Sequence, residues 1–307
     1  MTGTGTQADP YIITSVDDLY SMDTLGSETT YFELGADLDF NGTPYAEHFS
    51  PIPLKCLSFD GKGHSISNIF VSDPNGSVTV FSVPFSTNTS ISVKNTSFSN
   101  TRLVGNSIAF FNNTGGSSCT LSLYNCTFFI DMNLRGSCCV MSNALALTAE
   151  LCSFSYSGIL NTSSAFFSGA ALNRCHFHLD LMQLTGPYYG FNNSDVCFFA
   201  YSCTVTDSYI TGEITGASGF SAYGAACLSA WQSSFSNFYS ALAFTNIPHC
   251  MWDGTYNYAC FYDRENAGMA YSRIYYDEPQ VFLPLTTAQC KDAAYLQSIG
   301  FVVEGGD

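Results

Sequence analysis

"NCTF", ending at Phe128, is one copy of a short phrase whose recurrence decides the fold of this chain. A small residue or cysteine, a polar residue and an aromatic return as "NTSF" ending at Phe98, "LCSF" at Phe154, "RCHF" at Phe177, "TDSY" at Tyr209 and "QSSF" at Phe235. "ISNIF" at Phe70 and "YACF" at Phe261 extend the series at both ends. Successive aromatics are 23 to 32 residues apart, and a second phrase falls between them: "IAFF" (108–111), "CCVM" (138–141), "SAFF" (164–167), "CFFA" (197–200) and "ALAF" (241–244). Two short strands therefore recur in every repeat, separated by Gly, Asn and Ser turns.

A period in this range means a solenoid, a propeller or an array. Propeller blades need about 40 residues or more, and the leucine ladder of leucine-rich repeats is absent. The spacing predicts an all-β fold, a parallel β-helix of about nine coils, each of about 27 residues. Coils stacked about 4.8 Å apart would place Phe98, Phe128, Phe154 and Phe177 in one internal aromatic stack. Cys126, Cys152 and Cys175 would form a column two residues earlier in the phrase. "DGKGH", from Asp60 to His64, then reads as the corner of a coil rather than as a catalytic loop.

The ends of a stacked sheet need covering. Ser15 with Asp18 three residues on suits the start of a short helix, and Thr286 with Gln289 opens a second that closes at Gly300. The expected organisation is a single domain over 1–307: a leader and cap in 1–30, coils in 31–284, and a cap helix and tail in 285–307.

Composition agrees with strands and turns. Of 307 residues, 46% are hydrophobic and only 11% charged, the polar remainder being rich in Ser, Thr, Asn and Gly. The net charge is −16, and Arg174 is the lone basic residue between Arg135 and Arg264. Phosphate neutralisation needs clustered Lys and Arg, so nucleic acid and anionic bilayers are not expected partners. Thirteen cysteines without a CxxC pair read as small buried hydrophobes of a reducing compartment. No secretory signal and no membrane-spanning run is visible.

"GTGTQADPYIITSVDDLYSM", "YFELGADLDFNG", "SPIPL" and "FDGKGHSISNIFV", with "LTTAQCKDAAYLQSIGF" near the end, resemble right-handed parallel β-helices of the pectin-lyase-like type. The likeness is to versions in phage and prophage proteins and in bacterial surface adhesins with GLUG-type repeats. It covers 3–71 and 285–301, and the chain between is matched only by its period. The resemblance implies the fold and a phage setting: a virion protein assembled in the bacterial cytoplasm, partnered by other virion proteins or by copies of itself, as a trimer in many spikes. It implies no particular activity, because this fold carries lyases, hydrolases, adhesins and inert spikes.

"GTGTQA" fits a dinucleotide pattern but neither follows a strand nor opens a long helix, so it reads as a flexible leader. In "DLDFNG", Asp37, Asp39 and Asn41 match the first half of a calcium loop, yet His48 stands where the closing glutamate belongs. They also read as outward residues of a first-coil strand. His64 lacks a carboxylate or nucleophile at a fixed spacing. His176 and His178 flank Phe177, so both point outward when it points in; a metal there would need a third ligand from another coil.

The best enzymatic hypothesis uses Asp131 and Asp180, which share a column three residues after the core Phe, with Ser157 between them and Glu213 one coil later. Two coils apart means about 9.6 Å, near the roughly 6.5–9.5 Å carboxyl separation of inverting glycosidases. Against it stands the commonness of solvated acids in so acidic a chain. Tyr188, Tyr189, Trp252, Tyr256 and Tyr258 lie in irregular stretches and are the candidate glycan-contacting aromatics. The expected function is a non-enzymatic phage virion component (spike, fibre module or capsid-surface protein) that binds a bacterial or mucosal glycan and needs no cofactor. The rivals are a glycan-cleaving depolymerase and a bacterial surface adhesin.

Overall fold

In several coils the phrase begins where the chain turns a corner. Its first residue is left-handed in four copies, Asn95, Asn125, Leu151 and Arg174 having φ of 51, 51, 55 and 50°, and in "TDSY" the left-handed residue is the second, Asp207, at 49°. Asparagine and aspartate tolerate this conformation best among residues with a side chain. The next residue is small and carries a donor that folds back onto the carbonyl two residues earlier. Thr96 Oγ1 donates to Lys94 O at 2.9 Å, Cys126 Sγ to Tyr124 O at 3.4 Å, and Cys152 Sγ to Glu150 O at 3.3 Å. Cys175 Sγ and Ser208 Oγ do the same at 3.3 and 2.6 Å. The position therefore asks for a compact side chain with a donor, which is why cysteine, serine and threonine exchange there. The eight cysteines Cys56, Cys119, Cys126, Cys152, Cys175, Cys203, Cys260 and Cys290 are all free thiols.

A computed structural model of the protein describes residues 1–85, 89–116, 118–135, 141–143, 145–160, 165–185, 196–200, 202–216, 225–247, 249–268, 271–273 and 282–301. It is a parallel β-helix in which each strand pairs with its counterpart a coil earlier and a coil later. Two compact units are present, Met1–Tyr156 and Ser157–Asp307.

In the first unit six strands, and so six turns, stack in one row: Tyr11–Ile13, Tyr31–Leu34, Ser58–Asp60, Ser90–Lys94, Cys119–Tyr124 and Leu145–Glu150. A second row runs through Leu38, Ile66, Phe98 and Phe128. A third runs through Ile52, Phe81, Phe111 and Ser142. In the second unit one row runs through Leu172, Val205, Phe235 and Tyr256. The structure has about six turns rather than the nine read from the phrase, and the strands Tyr11–Ile13 and Tyr31–Leu34 build coils that carry no copy of it.

The expected aromatic stack is present in the first unit. Phe128 lies between Phe98 and Phe154, with ring centroids 4.9 and 5.1 Å away and planes tilted by 15 and 6°. Phe110, from the "IAFF" phrase, meets Phe128 edge-on at 5.3 Å and 90°. Stacked and edge-to-face pairs are both favoured arrangements of ring quadrupoles.

Three copies of the phrase sit differently from the reading above. Phe70 is 44% exposed and pairs with Arg102, while Ile66 takes the core position opposite Phe98. Tyr209 is also 44% exposed, and Ile210 fills the site beside Phe177. Phe235 is buried but stacks with Val205 in another row. For Tyr209 the shift is by one residue, and a period-2 strand displaced by one exchanges its inner and outer faces.

Both expected caps form. Ser15 accepts from Asp18 N at the start of the helix Val16–Tyr20. Thr286 and Gln289 form a capping box at Thr287–Cys290, but Asp292 then caps a separate helix, Ala293–Ser298, so the single expected helix is broken in two. Gly300 follows it with φ of 88°. Residues 2–9 are not a flexible leader: Thr2 bridges Ile12, and Thr4 N and Thr6 N both donate to Asp9 O.

Phe128→Ala removes a ring that is packed on both faces and should lower the unfolding free energy by about 3–5 kcal/mol. Phe129→Ala, on the outer face with 48% exposure, should change it by less than about 0.5 kcal/mol. Urea unfolding of both variants checks the assignment of inside and outside.

Candidate functional site

The "DGKGH" corner is consumed by stacking. Gly61 N donates to Lys94 O and Gly63 N to Asn95 O, at 2.8 and 2.9 Å. A Cβ on Gly61 would come within 2.4 Å of Thr96 Oγ1, so the next coil requires glycine here. His64 Nδ1 lies 3.3 Å from Asp37 Oδ1. The same Asp37 oxygen accepts from Ser65 N at 2.7 Å, and that backbone bond, the Ser65 hydroxyl and His64 hold its carboxyl below the usual range.

Asp39, its neighbour in the calcium-like loop, accepts from Asn68 Nδ2 and Asn41 N at 2.7 and 2.8 Å, which lowers its pKa too. Asn100 donates in turn to Asn68, so Asp39, Asn68 and Asn100 form a polar ladder across three coils. Asp60, Asn95 and Asn125 form another, with donor–acceptor distances of 3.0 and 2.9 Å. Among the described residues, no three His, Cys, Asp or Glu side chains gather in a way that could hold a metal ion.

Cys56, Cys126 and Cys260 are held away from the thiolate form that nucleophilic attack needs. Burial pushes Cys56 up and Cys260 up to about 12. Contact with the Cys152 thiol, added to burial, raises Cys126.

Asp131 lies on the strand Thr127–Leu134 of the first unit. It is exposed and pairs with Arg102 across one coil, Oδ2 to Nε at 3.5 Å. Arg102 in turn covers the ring of Phe70 at 5.7 Å. Aromatic, cation and carboxylate thus follow one another on three successive outer rungs. The bulge between Phe128 and Ile130, opposite left-handed Asn100, sets this register.

Asp180 and Glu213 belong to the second unit, on the adjacent strands His176–Leu184 and Thr204–Gly216. Leu179 pairs with Gly212 and Met182 with Ile214, so Asp180 and left-handed Leu181 together oppose the single residue Glu213. Glu213 Oε1 accepts from Thr245 Oγ1 at 3.0 Å and Thr215 Oγ1 at 3.3 Å.

On the same two strands His176 and His178 both approach Thr211 Oγ1, through Nε2 at 3.3 Å and Nδ1 at 2.9 Å. The His176 ring stacks on Tyr209 at 4.4 Å and 21°. Burial, with the neighbouring His178, lowers the His176 pKa. Tyr209 is followed in its row by Tyr239 and Phe261. Phe261 is covered by Leu296 and Phe301 of the C-terminal cap, with Tyr239 packed alongside. Tyr209 itself remains exposed, so this face joins an aromatic, two imidazoles, hydroxyls and two carboxylates. Thr211 carries no signal in the sequence and Tyr209 reads there only as an aromatic of the phrase, because an outward residue of a strand gains meaning only from its neighbour one coil away.

Tyr188 and Tyr189 lie outside the described residues. Trp252, Tyr256 and Tyr258 lie in the strand His249–Asp263, where Trp252 pairs with Ser229 and Arg273, Tyr256 with Phe235 and Tyr258 with Ser236. They are therefore in regular structure rather than in loops. No helix among the described residues is long and apolar enough to cross a membrane.

No family model matches the chain, and no curated protein sequence matches it. Among solved structures it is similar to a protein from Bacteroides ovatus described provisionally as an immunoglobulin A1 protease. The match has 14% identity and a TM-score of 0.51, and covers 84% of this chain and 87% of that one. This supports the β-helix fold; at that identity it says nothing of activity.

Asp60 shows how far the acids serve the fold. Burial pushes its carboxyl up, but hydrogen bonds from Asn95 Nδ2 and Lys62 N and the Lys94 ammonium at 3.3 Å outweigh this and hold it low. A carboxyl with a depressed folded-state pKa adds stability that is present above its unfolded value and lost as pH falls through the folded one. Asp60→Asn should therefore lower stability at neutral pH and flatten its decline below about pH 4. Urea midpoints between about pH 7 and pH 3 check this, and parallel curves for variant and parent would refute it.

Proposed function

We propose that this chain is a binding rather than a catalytic β-helix: a non-enzymatic surface component of a phage virion that engages a glycan through its outer strand faces. The observation that carries the reading is how the outer acids are used. Asp131 is engaged by Arg102, and Glu213 accepts from two threonine hydroxyls on its own and the next coil. Such carboxylates order a face and present oxygens to hydroxyl-rich ligands. Exposed rings accompany them: Phe70 and Phe129 in the first unit, and Tyr209, at 44% exposure, in the second. Rings with one wet edge are suited to sugar contacts. The phage setting rests on the likeness of the opening and closing segments to phage β-helices. Assembly with other virion proteins or as a homo-oligomer belongs to the same proposal.

A glycan-cleaving reading is favoured by one feature, the placing of Asp180 opposite Glu213 on adjacent strands. The two readings separate in one experiment. Purified protein is applied to an array of bacterial and mucosal glycans, and any bound glycan is incubated with it and examined for new reducing ends. The binding reading expects capture without cleavage, with capture reduced about tenfold or more in Tyr209→Ala, a loss of about 1.4 kcal/mol. Release of reducing ends that stops in Asp180→Asn or Glu213→Gln would replace it with the depolymerase reading.

A further inference from the structure

Outside the aromatic and acidic rungs, the arrangement with the most chemistry is the imidazole pair of the second unit. His176 and His178 are two apart on one strand, flank the fully buried Phe177, and lie on the same outer face. Their rings converge: His176 Nε2 and His178 Nδ1 both lie within hydrogen-bond range of one atom, Thr211 Oγ1. The ring centroids are 6.2 Å apart. The His176 ring is stacked on Tyr209, which sets the plane along which it faces Thr211. From this geometry we infer a binding site for a divalent late transition-metal ion of the zinc class, with His176 and His178 as its protein ligands.

The ligand chemistry selects the class. Imidazole nitrogens suit zinc, nickel and copper, whereas calcium and magnesium need oxygen ligands. Zinc–nitrogen bonds are about 2.0–2.1 Å. An ion near the position of the Thr211 hydroxyl would therefore require each ring to advance by about 1 Å, within the reach of small side-chain rotations, while the hydroxyl turns aside. Among the described residues no third protein ligand comes from a neighbouring coil, as the sequence reading required, so the remaining positions fall to water and the site is an open two-histidine one. Asp180 and Glu213 lie farther along the same two strands, where they add negative charge that draws a cation in.

The test is calorimetric titration of ZnCl₂ into the untagged full chain in a non-chelating buffer, with the histidine ring resonances followed by NMR. The expected result is saturable uptake of one ion per chain in the micromolar range, with shifts of two imidazole spin systems. Binding should weaken by at least about tenfold in His176→Gln and in His178→Gln, and persist in Thr211→Val. MgCl₂ should give no saturable heat. If the histidine variants fail to fold, the shifts in the parent protein decide the matter. No saturable zinc binding, uptake unchanged in the double variant, or zinc shifts confined to other histidines would each overturn the assignment.

Discussion

Everything in this structure depends on the in-register hydrogen bonding of one coil to the next. A parallel ladder repeats every residue environment at about 4.8 Å, so whatever occupies a position must be compatible with a near copy of itself above and below. Inward positions satisfy this with rings in van der Waals contact, as Phe98, Phe128 and Phe154 do. Corner positions satisfy it with amides and carboxylates that donate and accept along the stack, as Asp60, Asn95 and Asn125 do. Asp60, the buried member of this row, is tolerable because its carboxyl is satisfied, and the left-handed corner residue makes this geometry available to asparagine at little steric cost.

The same constraint divides the side chains between folding and function. The thiols of the phrase, inside the corners, donate to carbonyls of their own coil and are too buried to react. The outward positions of the strands are the ones free to vary, and there the chain places Arg102 with Asp131 in one unit and the His176, His178 and Thr211 group in the other. Chemistry on such a scaffold is assembled from residues about 30 apart in sequence and one rung apart in space. That suits recognition of extended, repeating ligands, since successive rungs offer similar contacts at a fixed spacing.

How much of this was legible in the sequence follows from the range of the determining interaction. The phrase around Cys126 and Cys152 could be read because corner, column and core are local and recur. The cap at Thr286 could be read because a capping box spans only three residues. The register of Tyr209 could not, because a shift of one residue moved it to the outer face and put Ile210 in the core. The partner of Asp131 was hidden for a similar reason: the bulge opposite Asn100 determines that Arg102 stands beside it. Thr211 is the extreme case, since its role as the meeting point of two histidines exists only once the coils are stacked.

Coil-to-coil register is thus the central claim, and cross-linking tests it most directly. Ser122 pairs with Thr148 on adjacent outer rungs, their hydroxyls 2.9 Å apart. A disulfide needs Cα atoms within about 7 Å, which adjacent parallel strands at about 4.8 Å provide only for residues in register. Ser122→Cys with Thr148→Cys, mildly oxidised and mapped by mass spectrometry, should give the 122–148 bridge in high yield. Ser122→Cys with Ala146→Cys, displaced by two residues along the same strand, should not form its bridge. Equal bridging in both pairs, or bridging in the displaced pair alone, would contradict the stacked register on which the account rests.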